Sequence, residues 1–384
     1  MKNQSTVNTA NGNSSPHPIF RGPVVHLSTA RSWRGGEQQL LNLVQGLSAR
    51  GVANEIVAAP GSPLIDRARK AGHRVTEQRS HFEYDPIAAL GAAQRLRATG
   101  ARIVHAHDAH ATALAAIAAS LSGTPFRVCT RRVDFKPQAW KYNWTMDCVI
   151  CISQAILDVC RQSGVQTQRL KLVHSGVDLE RIHSDRSQRT TVRTPFVGTE
   201  VDRPLILNVA SLADHKGQKF LLDAMAIVSV SIPTARLLIV GEGKLERPLR
   251  QQAERLGLGE TCQFVGFRTD VPALMRACDL FVMSSHMEGL CTSVIEAMAA
   301  GLAIVATRAG GLPELIEDGT SGRLVPTRDP PALAKAIIEL LQDPQCRQKM
   351  GQSGQVRSSC FGLEPMVEGT LRVYETLTGS RGGR

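Results

Sequence analysis

The chain runs to 384 residues, 42% hydrophobic and 21% charged, with a formal net charge of +11. That length favours two compact units, each with enough apolar side chains for its own core, and no apolar run approaches the roughly 18 residues that would cross a bilayer. The basic excess comes without a nucleic-acid fold signature and its cations are scattered among acids, which sets nucleic acid aside and leaves anionic substrates or an anionic membrane surface.

Residues 1–20 are rich in Asn, Ser and Thr. They hold neither a signal-peptide apolar run nor a basic amphipathic pattern, so they read as a disordered tail. The protein is then expected in the cytoplasm, with its nine cysteines reduced. From residue 21 to 183, short apolar strands at 24–27, 55–58, 103–105 and 127–130 alternate with helical stretches, the pattern of a parallel sheet covered on both faces. After the first strand, Trp33, Gly35, Gly36 and Glu37 precede a helix whose Leu40, Leu41, Leu43, Val44 and Leu47 keep helical spacing. Gly35 and Gly36 then sit on a strand-to-helix turn, where the lack of a side chain lets a diphosphate or an acceptor approach the backbone. A plain tight turn is the alternative.

Farther on, His105, His107, Asp108 and His110 follow a strand and carry the side-chain types of a metal site or of a cleft lining. Residues 131–144 interleave Arg131, Arg132, Lys136 and Lys141 with Phe135, Trp140, Tyr142 and Trp144. Such a mixture suits docking on an anionic leaflet; a helix packing its aromatics inward is the other reading. Cys148 and Cys151 fall in an apolar strand and read as core, since a lone C-x-x-C is a weak metal signal.

Residues 184–202, rich in Ser, Thr and Arg, read as a linker. A second strand series at 205–209, 236–240, 262–265, 280–283 and 303–306 gives a second domain over 203–357, and residues 358–384 close the chain as a helix and tail. Lys216, in the turn after the first of these strands, lies at the edge where open sheets bind ligands and is the candidate cation for a diphosphate. Gly241, in a G-x-G after the next strand, fits a nucleotide-side turn. The segment 281–301 says most about chemistry. A strand runs into a polar loop that opens a helix, so the amides of Gly289, Leu290, Cys291 and Thr292 and the helix dipole aim at one point, as a phosphate requires. Glu288 sits on that loop, and Glu296, about two turns into the helix, faces the same cleft. An anion receptor flanked by two carboxylate acceptors fits a nucleotide sugar, whose hydroxyls can donate to them.

The spacing of Glu288 and Glu296, the following Ala297-Met-Ala-Ala-Gly301, the strand 303–307 and the loop Gly310-Gly-Leu-Pro-Glu314 resemble the donor half of retaining glycosyltransferases of family 4, a likeness running over about residues 23–376. The resemblance implies the α/β GT-B fold, with two Rossmann-like doubly wound domains facing across a cleft and the last helix returning to the first domain. It implies transfer of a sugar from a nucleotide diphosphate-sugar donor to the hydroxyl of a lipid-linked or saccharide acceptor, with retention, in polysaccharide, lipopolysaccharide or glycolipid assembly. Glu288 and Lys216 then act on the reacting centre, Glu296 on the ribose, and Phe267 and Arg268 beside the base. The histidines become cleft lining, with His107 on the acceptor or sugar side. The lack of any Asp-x-Asp implies a metal-independent enzyme with no cofactor beyond the nucleotide-sugar co-substrate.

Two positions depart from the pattern. Ser211 stands where many relatives have an arginine, so a diphosphate contact is missing or comes from Arg131 or Arg132. Arg132 itself stands where relatives often have a histidine, and an arginine holds an anion but shuttles no proton at neutral pH. Those departures keep a non-catalytic nucleotide-sugar-binding subunit open as a rival, beside a sugar-nucleotide epimerase on the same fold. The sequence assigns no carboxylate below the anomeric carbon, so same-face attack, with the departing phosphate taking the acceptor proton, is preferred over double displacement. Peripheral contact with the inner face of the cytoplasmic membrane through 131–144 completes the expectations.

Overall fold

The structure, a computed structural model, describes residues 20–184, 188–198, 200 and 202–379. In the first lobe β1 (Val24–Ser28), β2 (Asn54–Ala58), β3 (Arg74–Glu77), β4 (Ile103–Ala106), β5 (Phe126–Arg131), β6 (Cys148–Cys151) and β7 (Leu170–Leu172) form one parallel sheet in the order β3-β2-β1-β4-β5-β6-β7. In the second, β8 (Leu205–Val209), β9 (Arg236–Val240), β10 (Cys262–Phe264), β11 (Leu280–Met283), β12 (Ala303–Thr307) and β13 (Arg323–Val325) run parallel in the order β10-β9-β8-β11-β12-β13. The inner strands are largely apolar and buried because helices cover both faces; β11, for example, is buried at every position. In both sheets the strand order reverses beside the first strand, between β1 and β4 and between β8 and β11. Loops at the carboxyl ends of these strands diverge there and leave a crevice.

Several helices start on side-chain caps. Asp85 accepts from the amides of Ile87 and Ala88 to open the helix Pro86–Thr99, and Asp108 accepts from the Ala111 amide to open Ala109–Ser122. Both end on left-handed glycines, Gly100 and Gly123.

Three features differ from the sequence reading. Residues 1–19 of the expected tail lie outside the described residues, but Phe20 is buried and sets its ring edge-on against Tyr374 at 5.5 Å. Part of the expected linker is the helix Arg189–Val197, docked on the second lobe. Its Arg193 is 3% exposed and bonds the Ala277 carbonyl and the Asp279 carboxylate, each at 2.7 Å. Its short apolar side, Val192, Phe196 and Val197, is interrupted by Arg193 and set among threonines, too brief for a pattern search to find. The edge strands β3, β7 and β13 were also missed. They are three or four residues long and partly exposed, Arg-Val-Thr-Glu and Leu-Lys-Leu among them, as edge strands usually are.

The chain ends by returning to the first lobe. The helix Leu363–Gly379 lies against Gly35–Ala49, where a Cβ on Gly46 would stand 2.3 Å from Val367 Cγ2. Its Met366, Val367, Leu371, Val373 and Tyr374 share one core with Val24, Ile103 and Val128 of the first sheet.

Candidate active site

At the second lobe's reversal point, two loops are laced backbone to backbone. Gly217 adopts φ 65° and a Cβ there would stand 2.2 Å from the Ser284 carbonyl. The Ser284 hydroxyl donates to the Lys216 carbonyl at 3.0 Å, and the His286 amide to that of His215 at 2.9 Å. This lacing brings Lys216 Nζ to 2.6 Å from Glu288 Oε2, and the Ser285 hydroxyl donates to the same oxygen at 3.1 Å. Burial is the largest single influence and works to depress the Lys216 pKa, but the Glu288 charge and hydrogen bond together with the Cys291 and Asp134 groups carry the net shift upward, so the lysine is cationic at neutral pH. The residues expected to hold sugar and diphosphate therefore form one ion pair, with side chains 16% and 9% exposed.

Downstream of Glu288 the backbone is packed on both sides. A Cβ on Gly289 would meet the Arg132 carbonyl of the first lobe at 2.3 Å, and one on Gly311 would meet the Gly289 carbonyl at 2.5 Å. Leu290 and Cys291 bury their side chains, so only their amides can face a ligand. Among the described contacts no backbone carbonyl takes the amides of Gly289, Leu290 or Cys291. Burial raises the Cys291 thiol to about 11, which removes it as a nucleophile at neutral pH. The helix begins at Thr292, later than the sequence reading placed it, so Glu296 lies just over one turn in rather than two. Burial lifts its carboxyl to about 7 against the opposing charge of Arg181. Arg181 in turn donates to the Thr269 carbonyl, next to Phe267 and Arg268.

The first lobe's reversal point supplies Gly35, Gly36, His107 and Arg132. A Cβ on Gly36 would lie 3.7 Å from Arg132 Cδ, while one on Gly35 meets nothing within 4 Å. Arg132 donates to the His107 carbonyl at 3.0 Å and faces His107 Nδ1 at 3.4 Å. Burial draws its pKa to about 10, with Glu37 and Asp108 opposing, so it remains a cation. Behind it the parallel register sets His26 beside His105. The ring nitrogens of His26, His105 and His107 lie within 4.8 Å of one another. They already have partners: His26 bonds His107 and Asn54, each at 3.0 Å, and His105 bonds Tyr374 at 2.6 Å and Thr130 at 2.7 Å. Burial holds all three rings neutral, His26 at about 4. His110 is exposed and stands apart; Asp108 is used as a cap and by Thr29.

Some expected residues are not brought together. Arg131, weighed as a substitute for the missing arginine at Ser211, is buried under the helix Ala139–Thr145 and gives its guanidinium to the Tyr142 hydroxyl and the Phe135 carbonyl. Arg268 is paired with Asp270 at 2.6 Å and Phe267 is 65% exposed. Gly241, at φ 132°, serves a tight crossing of backbones, since a Cβ would stand 2.0 Å from the Ala210 carbonyl. Sequence reasoning missed Ser285, Arg181, His26 and the contact between lobes made by Glu314. That carboxylate accepts from the amides of Gln154 and Ala155 at 2.7 and 2.9 Å and meets His174 at 3.1 Å. Of these, Glu314 lies in the quoted loop 310–314 and Ser285 in the segment 281–301, so both stood in stretches the sequence singled out.

Two parallel-sheet lobes whose reversal points meet across one cleft define a GT-B-type architecture. Residues 194–357 match the family model described as glycosyl transferases group 1, and residues 33–181 that described as glycosyltransferase family 4. The chain is 31% identical over 293 residues to EpsD of Bacillus subtilis, named as a glycosyltransferase, spanning 71% of this chain and 76% of that protein. It is 28% identical to the GDP-mannose-dependent alpha-(1-6)-phosphatidylinositol monomannoside mannosyltransferase of Mycolicibacterium smegmatis, over 84% and 89% of the two chains. In fold it resembles HepE of Anabaena, solved in complex with UDP and glucose, with a TM-score of 0.82 at 22% identity over 94% of this chain and all of that one. The chain belongs to the glycosyl transferases of group 1, family 4, and is a glycosyltransferase.

Proposed function

We propose that this glycosyltransferase moves a sugar from a nucleoside diphosphate-sugar to a hydroxyl with retention, in the assembly of a glycolipid, lipopolysaccharide or polysaccharide. The observation that carries the reading is the Lys216–Glu288 pair beside the amides of Gly289 to Cys291, directly under the first lobe's Arg132 carbonyl. A lysine, free amides and a helix end are donors fixed in place where a diphosphate gathers charge on leaving. Glu288 holds the sugar hydroxyls, Glu296 the ribose, and Arg132 an anionic group on the acceptor side. With charge met in this way the transfer needs no metal, and attack on the face the leaving group vacates lets the diphosphate take the acceptor proton. The family relatives support the donor class: by their names, one uses GDP-mannose on a phosphatidylinositol glycolipid, and the Anabaena structure holds UDP.

The acceptor side supports work at the cytoplasmic face of a membrane. Phe135, Trp140 and Trp144 are 59%, 57% and 83% exposed, and of that segment's aromatics only Tyr142 turns inward. No helix among the described residues is long and apolar enough to cross a membrane.

Donor turnover in Lys216→Ala and Glu288→Ala tests the assignment. Each should lower kcat/KM by about 100- to 1,000-fold while nucleotide still raises the melting temperature. Near-normal turnover in both folded variants would refute it.

A further inference from the structure

Most of the exposed large apolar side chains of the first lobe fall in two segments. Phe82, Tyr84, Ile87 and Leu90 cluster in one segment, and Val133, Phe135, Trp140 and Trp144 in another. Lys141 joins the two segments: its Nζ pairs with Glu83 at 2.6 Å and sits 5.5 Å from the Tyr84 ring and 5.9 Å from that of Trp140. Between them opens a cavity of about 250 Å³, lined by Ala113, Ala116 and Ile117 from the helix Ala109–Ser122 and by Tyr84, Phe135 and Trp140.

Most of the polar groups in its wall are taken, though the buried Arg131 Nε has no partner among the described residues. Arg131 bonds Tyr142 and Phe135, and the Thr112 hydroxyl donates to the Asp108 carbonyl at 2.9 Å. What is left is an apolar slot, smaller than the roughly 300–1,000 Å³ of sites that enclose a whole ligand, and sized for part of one. Its position is set by the same strand ends that build the cleft, because the lining residues Ala109 and Arg131 adjoin Asp108 and Arg132 in the chain. Exposed Lys136 lies on its rim.

We propose that this cavity holds the hydrocarbon chain of an amphiphilic acceptor whose anionic head lies toward Lys136 and the Arg132 side of the cleft. The inference rests on the membrane-side acceptor reading above and adds the chain as a recognised part of the substrate. Apolar lining takes the chain, the cationic rim takes the head, and the flanking aromatics take the surrounding lipid.

The test uses the full chain carrying Trp33→Phe and Trp144→Phe, so that Trp140 alone reports. The probe is a dodecyl phosphate brominated at its chain end, kept below its micelle concentration. A saturable loss of Trp140 fluorescence is expected, and Ala116→Phe, which fills the slot, should abolish it. Ala113→Phe provides a second filled cavity should the first variant not melt cooperatively. Unchanged quenching in the filled variants, a non-saturating loss equal to that of a Trp144-only protein, or a concentration-dependent dimer that shields Trp140 without quenching would each overturn the proposal. A nucleotide-sugar thermal shift on the same samples reads the donor lobe. Its loss would count against the transferase assignments, and its presence with no saturable quenching would count against the chain site alone.

Discussion

At the scale of single residues, the site stores charge in pairs. Removing one partner of a buried ion pair leaves the other uncompensated and costs about 3–5 kcal/mol, whereas removing both costs less than the sum. Lys216→Ala and Glu288→Ala should therefore each lower the melting temperature, and the double variant should melt higher than additivity requires; additive losses in denaturant titrations would show that the two do not couple. Among the described residues Glu296 makes no such ion pair. Its folded pKa lies at about 7, above the ordinary 4.5. Its contribution to stability is thus fully present below pH 4.5 and is lost as pH rises to 7. Glu296→Gln is expected to be more stable than the parent above pH 7, by no more than about 3 kcal/mol, with the margin shrinking toward pH 5. The parent's donor KM should rise as pH falls below 7 and the carboxyl protonates, a pH dependence missing from the variant. A flat parent profile would remove Glu296 from the ribose contact.

Among elements, the decisive fact is how closely loops from the two lobes approach. Gly289 lies between the Arg132 carbonyl and the Gly311 backbone, and Gly310, at φ 48°, has the Glu288 carbonyl 1.6 Å from where its Cβ would be. No side chain fits at either place. Gly289→Ala should cut kcat/KM by at least about 100-fold, since small misplacements of a reacting group carry that penalty. Gly35→Ala, with open space around it, should bind donor nearly as the parent does. Equal effects in titrations of donor binding would mean that backbone crowding between lobes does not set the site. Glu314 acts at the same scale, capping the helix Gln154–Gln162 of the opposite lobe with a carboxylate. Its pKa is held below the usual value by His174 and the two amides, which outweigh the effect of burial.

For the whole molecule, the terminal helix determines whether the first lobe is complete. Tyr374 is fully buried and gives His105 its Nδ1 partner at 2.6 Å. Tyr374→Phe keeps the ring but strands a buried polar nitrogen, and should cost about 1–3 kcal/mol in urea unfolding. Deleting residues 363–384 should expose the shared core of both ends of the chain and abolish cooperative melting of the first lobe. Persistence of that transition would show the lobe to be self-sufficient.

Read alone, the sequence determined the two parallel-sheet lobes, since inner strands buried on both faces announce themselves as apolar runs such as Leu280–Met283. It also placed Glu288, Lys216 and the Gly289 loop, because a strand end, a polar loop and a helix start are local patterns. Other features depended on contacts between residues far apart in the chain. That Lys216 pairs with Glu288, that Arg131 is consumed inside the first lobe while Arg132 faces the cleft, and that His26 rather than His110 joins His105 and His107 were settled only by the tertiary structure. Strand register and the meeting of two lobes bring residues tens to hundreds of positions apart within hydrogen-bond reach, and no local periodicity encodes such a meeting.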